Sequence, residues 1–353
     1  MTDVKILHQV EGLPIFQNRM YPSREAARSC IKGDVVLVED LNSGLVYNQA
    51  FRPDVMNYDS NYQNEQGNSP RFQDHLTSIA ELIEKRMGLN GLVEVGCGKG
   101  LFLELLATRG AQITGYDPTY EGANPKIVRE YFSKSLGITG KGLILRHVLE
   151  HIQDPVSFLF DLQEANGGSG EIYIEVPCFD WICAHRTWFD VFYEHVNYFR
   201  LSDFSRMFGV VHEAKHTFGG QYLSVVADLA TLRRPQFDPN DRPQFPADFS
   251  ATMQPRSLAN SVVWGGASKG VLFCLMMERA GVTVDHVVDI NPAKQGKFLP
   301  ATGLEVKSAE HVLPTLADGA TIYVMNSNYL SEIREMSGNN FRYVTIDQIP
   351  LPA

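Results

Sequence analysis

The sequence predicts an α/β protein with two successive α/β units behind a small N-terminal region. From residue 69 onwards, short apolar runs alternate with amphipathic segments, which is typical of βαβ units and a mainly parallel sheet. A proline-rich stretch at 233–256 interrupts this alternation, which then resumes. A chain of 353 residues is also long for one domain, so two or three domains are expected.

The N-terminal region, residues 1–68, is mostly polar, and alternating runs at 34–38 and 44–47 predict two strands. A helix is expected to begin next. Ser69 is suited to the N-cap, Pro70 to the first helical position, and the apolar residues that follow recur at helical spacing. This helix opens the central domain, residues 69–232.

The central domain continues with alternating strands and helices. We predict strands at 92–95, 113–117, 142–148, 171–176 and 222–228, and helices at 101–109 and 155–166. An aromatic-rich insertion occupies 178–220, and residues 233–256 form an extended linker. The C-terminal domain, residues 257–353, begins with a strand (261–264), a turn (265–270), a helix (271–280) and a second strand (284–289).

Charge and cysteine content limit the function classes. The net charge of -10 opposes binding to nucleic acid and to anionic membranes. There is neither a secretory signal at the start of the sequence nor an apolar stretch that could span a bilayer. The five cysteines are scattered without a C-x-x-C pair, which favours the reducing cytoplasm.

The first motif with chemical content is a glycine loop between a predicted strand and a helix. It is Glu94-Val95-Gly96-Cys97-Gly98-Lys99-Gly100, in which the glycines permit a tight turn close to a ligand. Asp117 ends the next strand, where a carboxylate can accept hydrogen bonds from ribose hydroxyls. This spacing is neither that of a dinucleotide loop nor that of a P-loop, so we predict a nucleoside-type cofactor. The alternative is a plain glycine turn with a helix-capping Asp.

Together with His147-Val148-Leu149-Glu150-His151, this loop resembles the class I S-adenosylmethionine-dependent methyltransferases. The resemblance implies a Rossmann-like central domain and S-adenosyl-L-methionine as the cofactor. It places the cofactor on Glu94, Gly96, Gly98, Gly100 and Asp117, with Arg146 and His147 lining the methionine side.

The pattern His147-x-x-Glu150-His151 also matches an inverted zinc-protease signature. A zinc site of that kind needs a third ligand and one long helix that carries both histidines. Here the pattern follows a strand, and Pro155 begins the next element four residues later. We therefore favour a methyltransferase loop over a zinc site.

The aromatic insertion contains Phe192-Tyr193-Glu194-His195-Val196-Asn197-Tyr198-Phe199. This segment resembles the Y-H-E-H-x-x-Y-F segment of sugar-nucleotide C-methyltransferases, which methylate a carbon next to a ketone. The resemblance implies that His195 is the catalytic base, assisted by Glu194. The first tyrosine of the family is Phe192 here, and Tyr193 is the candidate to replace it. A neutral imidazole beside a carboxylate suits general-base catalysis, whereas the structural alternative is a histidine packed among aromatic rings.

Two C-terminal stretches resemble the C-terminal domain of the same family. They are Gly265-Gly266-Ala267-Ser268-Lys269-Gly270 and Asp289-Ile290-Asn291-Pro292-Ala293-Lys294, followed by Lys297. A glycine turn at a helix start, with added positive charge, suits a phosphorylated ligand. We therefore predict substrate binding by Lys269, Asn291, Lys294 and Lys297. Lysines that are merely solvated are the alternative.

The N-terminal region departs most from the family, which carries two C-x-x-C zinc pairs there. The frame of the second pair falls on Asp40-Leu41-Asn42-Ser43, the first pair is absent, and Cys30 alone cannot bind zinc. We predict no metal. Tyr58 and Tyr62, with Gln66 and Ser69, resemble the segment that enters the cofactor domain, and Tyr62 is a candidate cofactor contact; two surface tyrosines are the alternative.

These features predict a cytoplasmic methyltransferase that acts on a nucleotide-linked sugar, as a monomer or homodimer. The nearer alternative is an O- or N-methyltransferase on a nucleotide-linked or phosphorylated substrate. The more distant one is a non-enzymatic nucleotide-binding module.

Overall fold

The computed structural model describes residues 3–56, 62, 67–249 and 258–348. Tyr58, Gln66 and the linker residues 250–256 lie outside these ranges. Within them, the chain forms nine α-helices and sixteen strands. The helices are α1 (Arg24–Arg28), α2 (Pro70–Met87), α3 (Leu101–Thr108), α4 (Pro155–Ala165), α5 (Phe179–His185), α6 (Leu201–Met207), α7 (Ser268–Arg279), α8 (Ala309–Val312) and α9 (Leu330–Met336).

The strands fall into an N-terminal, a central and a C-terminal group. They are β1 (Val4–Pro14), β2 (Lys32–Asp40), β3 (Val46–Asn48), β4 (Asn90–Val95), β5 (Gln112–Tyr116), β6 (Ile127–Val128), β7 (Gly142–Arg146), β8 (Glu171–Pro177), β9 (Asn197–Tyr198), β10 (Val211–Thr217), β11 (Tyr222–Asp228), β12 (Leu258–Trp264), β13 (Val284–Val288), β14 (Val306–Lys307), β15 (Thr321–Val324) and β16 (Arg342–Thr345).

The central sheet has seven strands in the order β10-β11-β8-β7-β4-β5-β6. β11 pairs antiparallel with both of its neighbours, whereas β8, β7, β4, β5 and β6 pair parallel. A parallel sheet with one reversed strand near its edge is the class I methyltransferase arrangement that the resemblance implies. The two faces of this sheet bury separate apolar clusters, as expected when helices cover both sides.

The C-terminal sheet is entirely parallel, in the order β14-β13-β12-β15-β16. Its strand order reverses between β12 and β15, and ligands bind beside such reversals in open α/β sheets. Helix α7 begins at Ser268, three residues earlier than predicted. The predicted turn is therefore shorter and leads directly into the helix.

The N-terminal region forms an antiparallel sheet in the order β1-β2-β3-β9. β9 comes from the aromatic insertion, where Asn197 and Tyr198 pair with β3. One apolar cluster joins this region to the insertion and to the C-terminal domain, through Leu13, Phe192 and Phe273 among others. The insertion therefore packs between the N-terminal sheet and the C-terminal domain, and its residues are held against both.

The described part of the linker packs against the N-terminal region. Residues 233–249 contain no helix or strand, and the ring of Phe249, which is 2% exposed, meets His8 edge-on. Arg242 forms an ion pair with the buried Glu39 of β2. Among the described helices, none is long and apolar enough to cross a bilayer.

Candidate active site

A cavity with a volume of about 400 Å³ lies where the carboxyl ends of the central and C-terminal parallel strands face each other. The central domain contributes the glycine loop after β4 and the segment after β7. The C-terminal domain contributes the turn before α7 and the segment after β13. The cavity therefore brings together four of the segments that the sequence singled out, and His195 of the insertion lines it as well.

The glycine loop adopts a backbone that only glycine takes without strain. Gly96, Gly98 and Gly100 have φ values of 71°, 54° and 84°. A Cβ on Gly96 would lie 2.5 Å from Val148, and one on Gly100 would lie 2.4 Å from Ile127. A Cβ on Gly98 would meet no atom within 4 Å. The loop is therefore packed behind Gly96 and Gly100 and open at Gly98, where a ligand can approach the backbone.

Asp117 follows β5 and is fixed against this loop. Its Oδ2 accepts a 2.8 Å hydrogen bond from the backbone N–H of Gly98. Its Oδ1 accepts bonds from the backbone N–H and the hydroxyl of Thr119, at 2.9 and 2.7 Å. A carboxylate offers about four acceptor positions, so Asp117 retains capacity for a ribose hydroxyl.

Glu94 ends β4 beneath the loop and lines the cavity. The residue is 3% exposed, and its Oε2 has no hydrogen-bond partner. Burial raises the pKa of Glu94 to about 8. A buried carboxyl oxygen without a partner indicates that a polar ligand belongs there.

Arg146 and His147 follow β7 and meet the buried Glu175 of β8. Arg146 donates to Glu175 Oε1 at 3.1 Å, and His147 Nε2 lies 3.0 Å from the same oxygen. His147 Nδ1 also lies 3.2 Å from Glu150 Oε1. Burial opposes the charge on His147, but the two carboxylates raise its pKa to about 9. Both residues therefore present positive charge at the cavity wall at neutral pH.

His195, which belongs to the insertion, lines the same cavity as Arg146 and His147. Burial, with the nearby His151 and His147, holds its pKa well below the ordinary value. His195 is therefore neutral at pH 7 and can accept a proton. Its ring centroid lies 4.0 Å from that of Phe192 and 5.0 Å from that of His151.

The structure does not bring Glu194 and Tyr193 to His195. The carboxylate of Glu194 accepts a 2.7 Å bond from the backbone N–H of Gln17, and the Tyr193 hydroxyl accepts a 2.9 Å bond from that of Arg52. Within the described residues, no hydrogen bond joins the Glu194 side chain to His195. Phe192, which carries no hydroxyl, lines the cavity instead of Tyr193.

Glu150 and His151 stand closer to His195 than our sequence analysis expected. One ligand atom from each of Glu150, His151 and His195 lies within 4.8 Å of the others. His151 Nδ1 lies 2.9 Å from the backbone oxygen of Glu194, which leaves its Nε2 for the cavity side. Glu150 Oε2 is buried without a partner. The pattern at 147–151 contains Glu150 and His151, but nothing in that pattern indicates their contact with His195.

Tyr62 also lines the cavity, beside Asn18 of the N-terminal region. Its hydroxyl bonds to Glu194 and helps to keep that carboxylate away from His195. Ser69 caps α2, as predicted, and donates a 2.7 Å bond to Glu332 of the C-terminal domain. Ser69 therefore ties the central domain to the C-terminal domain.

The predicted substrate residues have different surroundings. Lys294 is 3% exposed, with its Nζ 3.4 Å from Asp289, and Asn291 is 5% exposed. The Nζ of Lys269 lies 3.0 Å from Asp190 and 5.1 Å from the centre of the Trp181 ring. These three residues line the cavity, whereas Lys297 is half-buried away from its wall. Lys269 and Lys294 are therefore paired, buried or half-buried lysines and not solvated ones.

Residues 40–43, where the resemblance implies a pair of cysteines, form a turn built on Asp40. The Asp40 carboxylate accepts bonds from the backbone N–H of Asn42 at 3.0 Å and from the Ser43 hydroxyl at 2.7 Å. All five cysteines are free thiols. Asp40 closes this turn with its own hydrogen bonds, so the turn needs no metal to hold it.

We expect purified protein to contain less than one zinc atom per chain in elemental analysis. The physical reason is the lack of thiol ligands in the N-terminal frame, where a structural zinc would need four ligands. Glu150, His151 and His195 are the group among the described residues that could hold a metal. Stoichiometric zinc that is lost in a His151→Ala variant would contradict the prediction and place the metal in the cavity.

Part of the chain is similar to known proteins. Residues 68–210 match a family model described as "Methyltransferase domain". A comparison with curated protein sequences gave no match. Among solved structures, the magnesium protoporphyrin IX methyltransferase ChlM from Synechocystis PCC 6803, with bound SAH, is 15% identical, with a TM-score of 0.35 over 45% of this chain and 82% of that chain. The N-methyltransferase NodS from Bradyrhizobium japonicum WM9 is 13% identical, with a TM-score of 0.33 over 45% of this chain and 97% of that chain.

The residues of the glycine loop and the adjoining Asp117 fit the cofactor that the loop predicts; Glu94, Gly96 and Gly98 line the cavity, whereas Gly100 and Asp117 do not. Gly98 leaves its backbone open, Asp117 has acceptor capacity for ribose, and the unpartnered Glu94 oxygen can meet a polar group. The family-model match covers all three residues. Residues 68–210 therefore form a methyltransferase domain, an enzyme domain whose glycine loop suits S-adenosylmethionine as the cofactor.

Proposed function

We propose that the enzyme methylates a carbon next to the ketone of a nucleotide-linked sugar, with His195 as the base. The observation that carries this proposal is a neutral histidine on the wall of the cavity between the two domains. The cavity is also reached by the cofactor loop and by the C-terminal turn that would anchor a phosphorylated substrate. A small-molecule substrate suits a cavity with a volume of about 400 Å³.

In the proposed reaction, His195 removes a proton from the carbon beside the carbonyl. The C–H electrons remain on the substrate as an enolate, and the proton stays on the imidazole. Arg146 and His147, which are paired with the buried carboxylate of Glu175, line the same cavity and are candidate hydrogen-bond donors to the developing negative charge. When bound, S-adenosylmethionine would supply an electrophilic methyl group; as the deprotonated carbon takes this group, the S–CH3 bond would break with its electron pair left on sulfur, giving S-adenosylhomocysteine. The remaining contribution of the chain is alignment of the two reactants.

Glu150 supports the base in this proposal more directly than Glu194 does. The Glu150 carboxylate lies in the same cluster as His195 and keeps one buried oxygen without a partner. It can stabilise the imidazolium that forms after proton transfer. The Glu194 side chain instead fixes the N-terminal segment at Gln17.

O- or N-methylation is the second candidate, and Phe192 favours it. Phe192 occupies the position of the family tyrosine on the cavity wall and offers no hydroxyl to an enolate. On this alternative, His195 would deprotonate a hydroxyl or an amine.

The test is deuterium exchange in D₂O, with S-adenosylhomocysteine in place of the methyl donor. Carbon methylation predicts that the enzyme exchanges the proton next to the ketone of a nucleotide-linked keto sugar and that His195→Gln does not. An O- or N-methyltransferase has no reason to exchange a carbon-bound proton. A product with its new methyl group on oxygen or nitrogen would overturn the proposal.

We expect Lys269→Ala and Lys294→Ala to raise the apparent KM for substrate and to change cofactor affinity little. Loss of a phosphate contact weakens ground-state and transition-state binding together, so kcat should fall less than kcat/KM. Steady-state kinetics with calorimetry of S-adenosylhomocysteine binding measures both effects. Lys215→Ala is the control, because Lys215 pairs with Glu213 on the edge strand β10, away from the cavity. KM values equal to that of the control would contradict the anchoring role.

A further inference from the structure

Two histidines and a carboxylate meet on the wall of the cavity. His195 comes from the insertion, whereas Glu150 and His151 come from the segment after β7. One ligand atom from each residue lies within 4.8 Å of the other two. In a tetrahedral zinc site the ligand atoms are about 3.3 Å apart, because each lies about 2.0–2.2 Å from the ion. Rotation of the three side chains about their χ angles can therefore bring these atoms around one ion.

The orientation of His151 is typical of a metal ligand. Its Nδ1 lies 2.9 Å from the backbone oxygen of Glu194, and since this oxygen can only accept, the Nδ1–H donates to it. In the neutral ring, the lone pair is then on Nε2. Histidines that bind metal ions usually hold their second ring nitrogen in this way, because the bond fixes both the tautomer and the ring orientation.

Glu150 provides an anionic ligand that its neighbours already hold in place. Its Oε1 lies 3.2 Å from His147 Nδ1, whereas its Oε2 is buried without a hydrogen-bond partner among the described residues. Leaving such an oxygen unpaired is costly, and a cation beside it would remove that cost. The backbone N–H of Val196, next to His195, donates a 2.7 Å bond to the Glu150 backbone oxygen. This bond holds the two segments that carry the three ligands against each other.

We propose that Glu150, His151 and His195 form a reversible binding site for a divalent transition-metal ion such as Zn²⁺, which competes with the role of His195 as a base. Two imidazoles and one carboxylate suit Zn²⁺, whereas Mg²⁺ prefers oxygen ligands. The cavity leaves a fourth position for water. Because binding must first draw the ligand atoms together, we expect the ion to exchange and to be lost on purification, in keeping with the low zinc content expected above.

The metal site and its effect on turnover have different premises. Binding of the ion is independent of the proposed function and depends only on the three side chains. The competition rests on the proposed function, because an imidazole nitrogen that binds a metal ion has no lone pair left for a proton.

The test is calorimetry with ZnCl₂ on the full chain, after treatment with EDTA and dialysis. We expect one equivalent of zinc to bind, MgCl₂ not to compete, and bound Co²⁺ to show the visible absorption of a four-coordinate site. His151→Ala and Glu150→Gln should each weaken zinc binding by at least about 10- to 100-fold, since even an outer-shell change has that effect. Glu150→Gln keeps the shape of the side chain, so the test remains valid if His151→Ala unfolds.

Cys30→Ser and His212→Ala are the matched controls. Cys30 is a free, half-buried thiol, and His212 lies on the edge strand β10, outside the cavity. Both control variants should bind zinc like the parent. Absence of zinc binding, or binding that is lost in a control but kept in His151→Ala and Glu150→Gln, would overturn the proposal.

Zinc should also inhibit the deuterium exchange at the free concentrations at which it binds, and EDTA should restore the exchange. Zinc that binds through these residues but leaves the exchange unchanged would overturn the competition, and with it the role of His195 as the base. A parent enzyme that shows no exchange even without zinc would overturn the proposed function and leave the binding results intact.

Discussion

Replacement of His195 by glutamine should lower kcat by about 10²–10⁴-fold, the usual cost of removing a general base. Glutamine keeps a polar side chain of similar length but cannot accept a proton. S-adenosylhomocysteine and the nucleotide-linked substrate should therefore still bind. Single-turnover kinetics measures the loss of the chemical step, and calorimetry measures the retained affinities.

The pH dependence of the parent enzyme provides a second measurement of the same role. Burial and the neighbouring histidines hold the pKa of His195 well below 6.5. A base works in its neutral form, so kcat/KM should stay constant as the pH falls to about 6.5 and decrease only below that value. In His195→Gln the residual activity should lack this acid limb.

His212→Gln is the matched control for this substitution. His212 lies on the edge strand β10, facing Glu171 at 3.6 Å, outside the cavity. It should keep the activity and the pH profile of the parent. If His195→Gln turns over as fast as this control, His195 is a packed aromatic neighbour of Phe192 and the base lies elsewhere.

The alternating elements of the central domain could be predicted from sequence because their signals are local. Helix α2 begins at Pro70 behind the Ser69 cap, where the capping residue and the apolar spacing predicted it. Strand β1 escaped prediction because two irregularities in its pairing with β2, between Ile6 and His8 and between Val10 and Leu13, break the alternation of faces. The apolar and polar residues of β1 therefore do not alternate regularly, and alternation is the pattern from which a strand is predicted.

The cofactor loop could be predicted in the same way, whereas the cluster around His195 could not. The loop residues are contiguous, so strand, turn and helix follow from their order. His195 meets Glu150 and His151 because the N–H of Val196 donates a 2.7 Å bond to the Glu150 backbone oxygen. The Glu194 side chain does not bond to His195, because its carboxylate accepts a bond from the backbone N–H of Gln17. Gln17 lies 177 residues earlier in the chain. Contacts across such separations leave no local sequence signal.

Asp117→Ala and Gly98→Val should each weaken binding of S-adenosylmethionine by about 10- to 100-fold. Alanine at 117 removes the ribose acceptor and the bond that holds the Gly98 N–H. Valine at 98 would stand in the left-handed region, at a φ of 54°, which a β-branched residue adopts only with strain. Its side chain would also project into the open space in front of the loop. Calorimetry measures both affinities, and thermal unfolding shows whether the fold is intact.

Gly137→Val separates the effect of strain from the effect on the ligand. Gly137 has a φ of 63°, and a Cβ there also meets nothing within 4 Å, but it follows a short helical turn at Lys134–Leu136, away from the cavity. It should cost a similar stability and leave cofactor affinity unchanged. If all three variants bind S-adenosylmethionine like the parent, neither the loop nor Asp117 holds the cofactor. If Gly137→Val weakens binding as much as Gly98→Val does, the loss reflects strain in the fold and not contact at the loop.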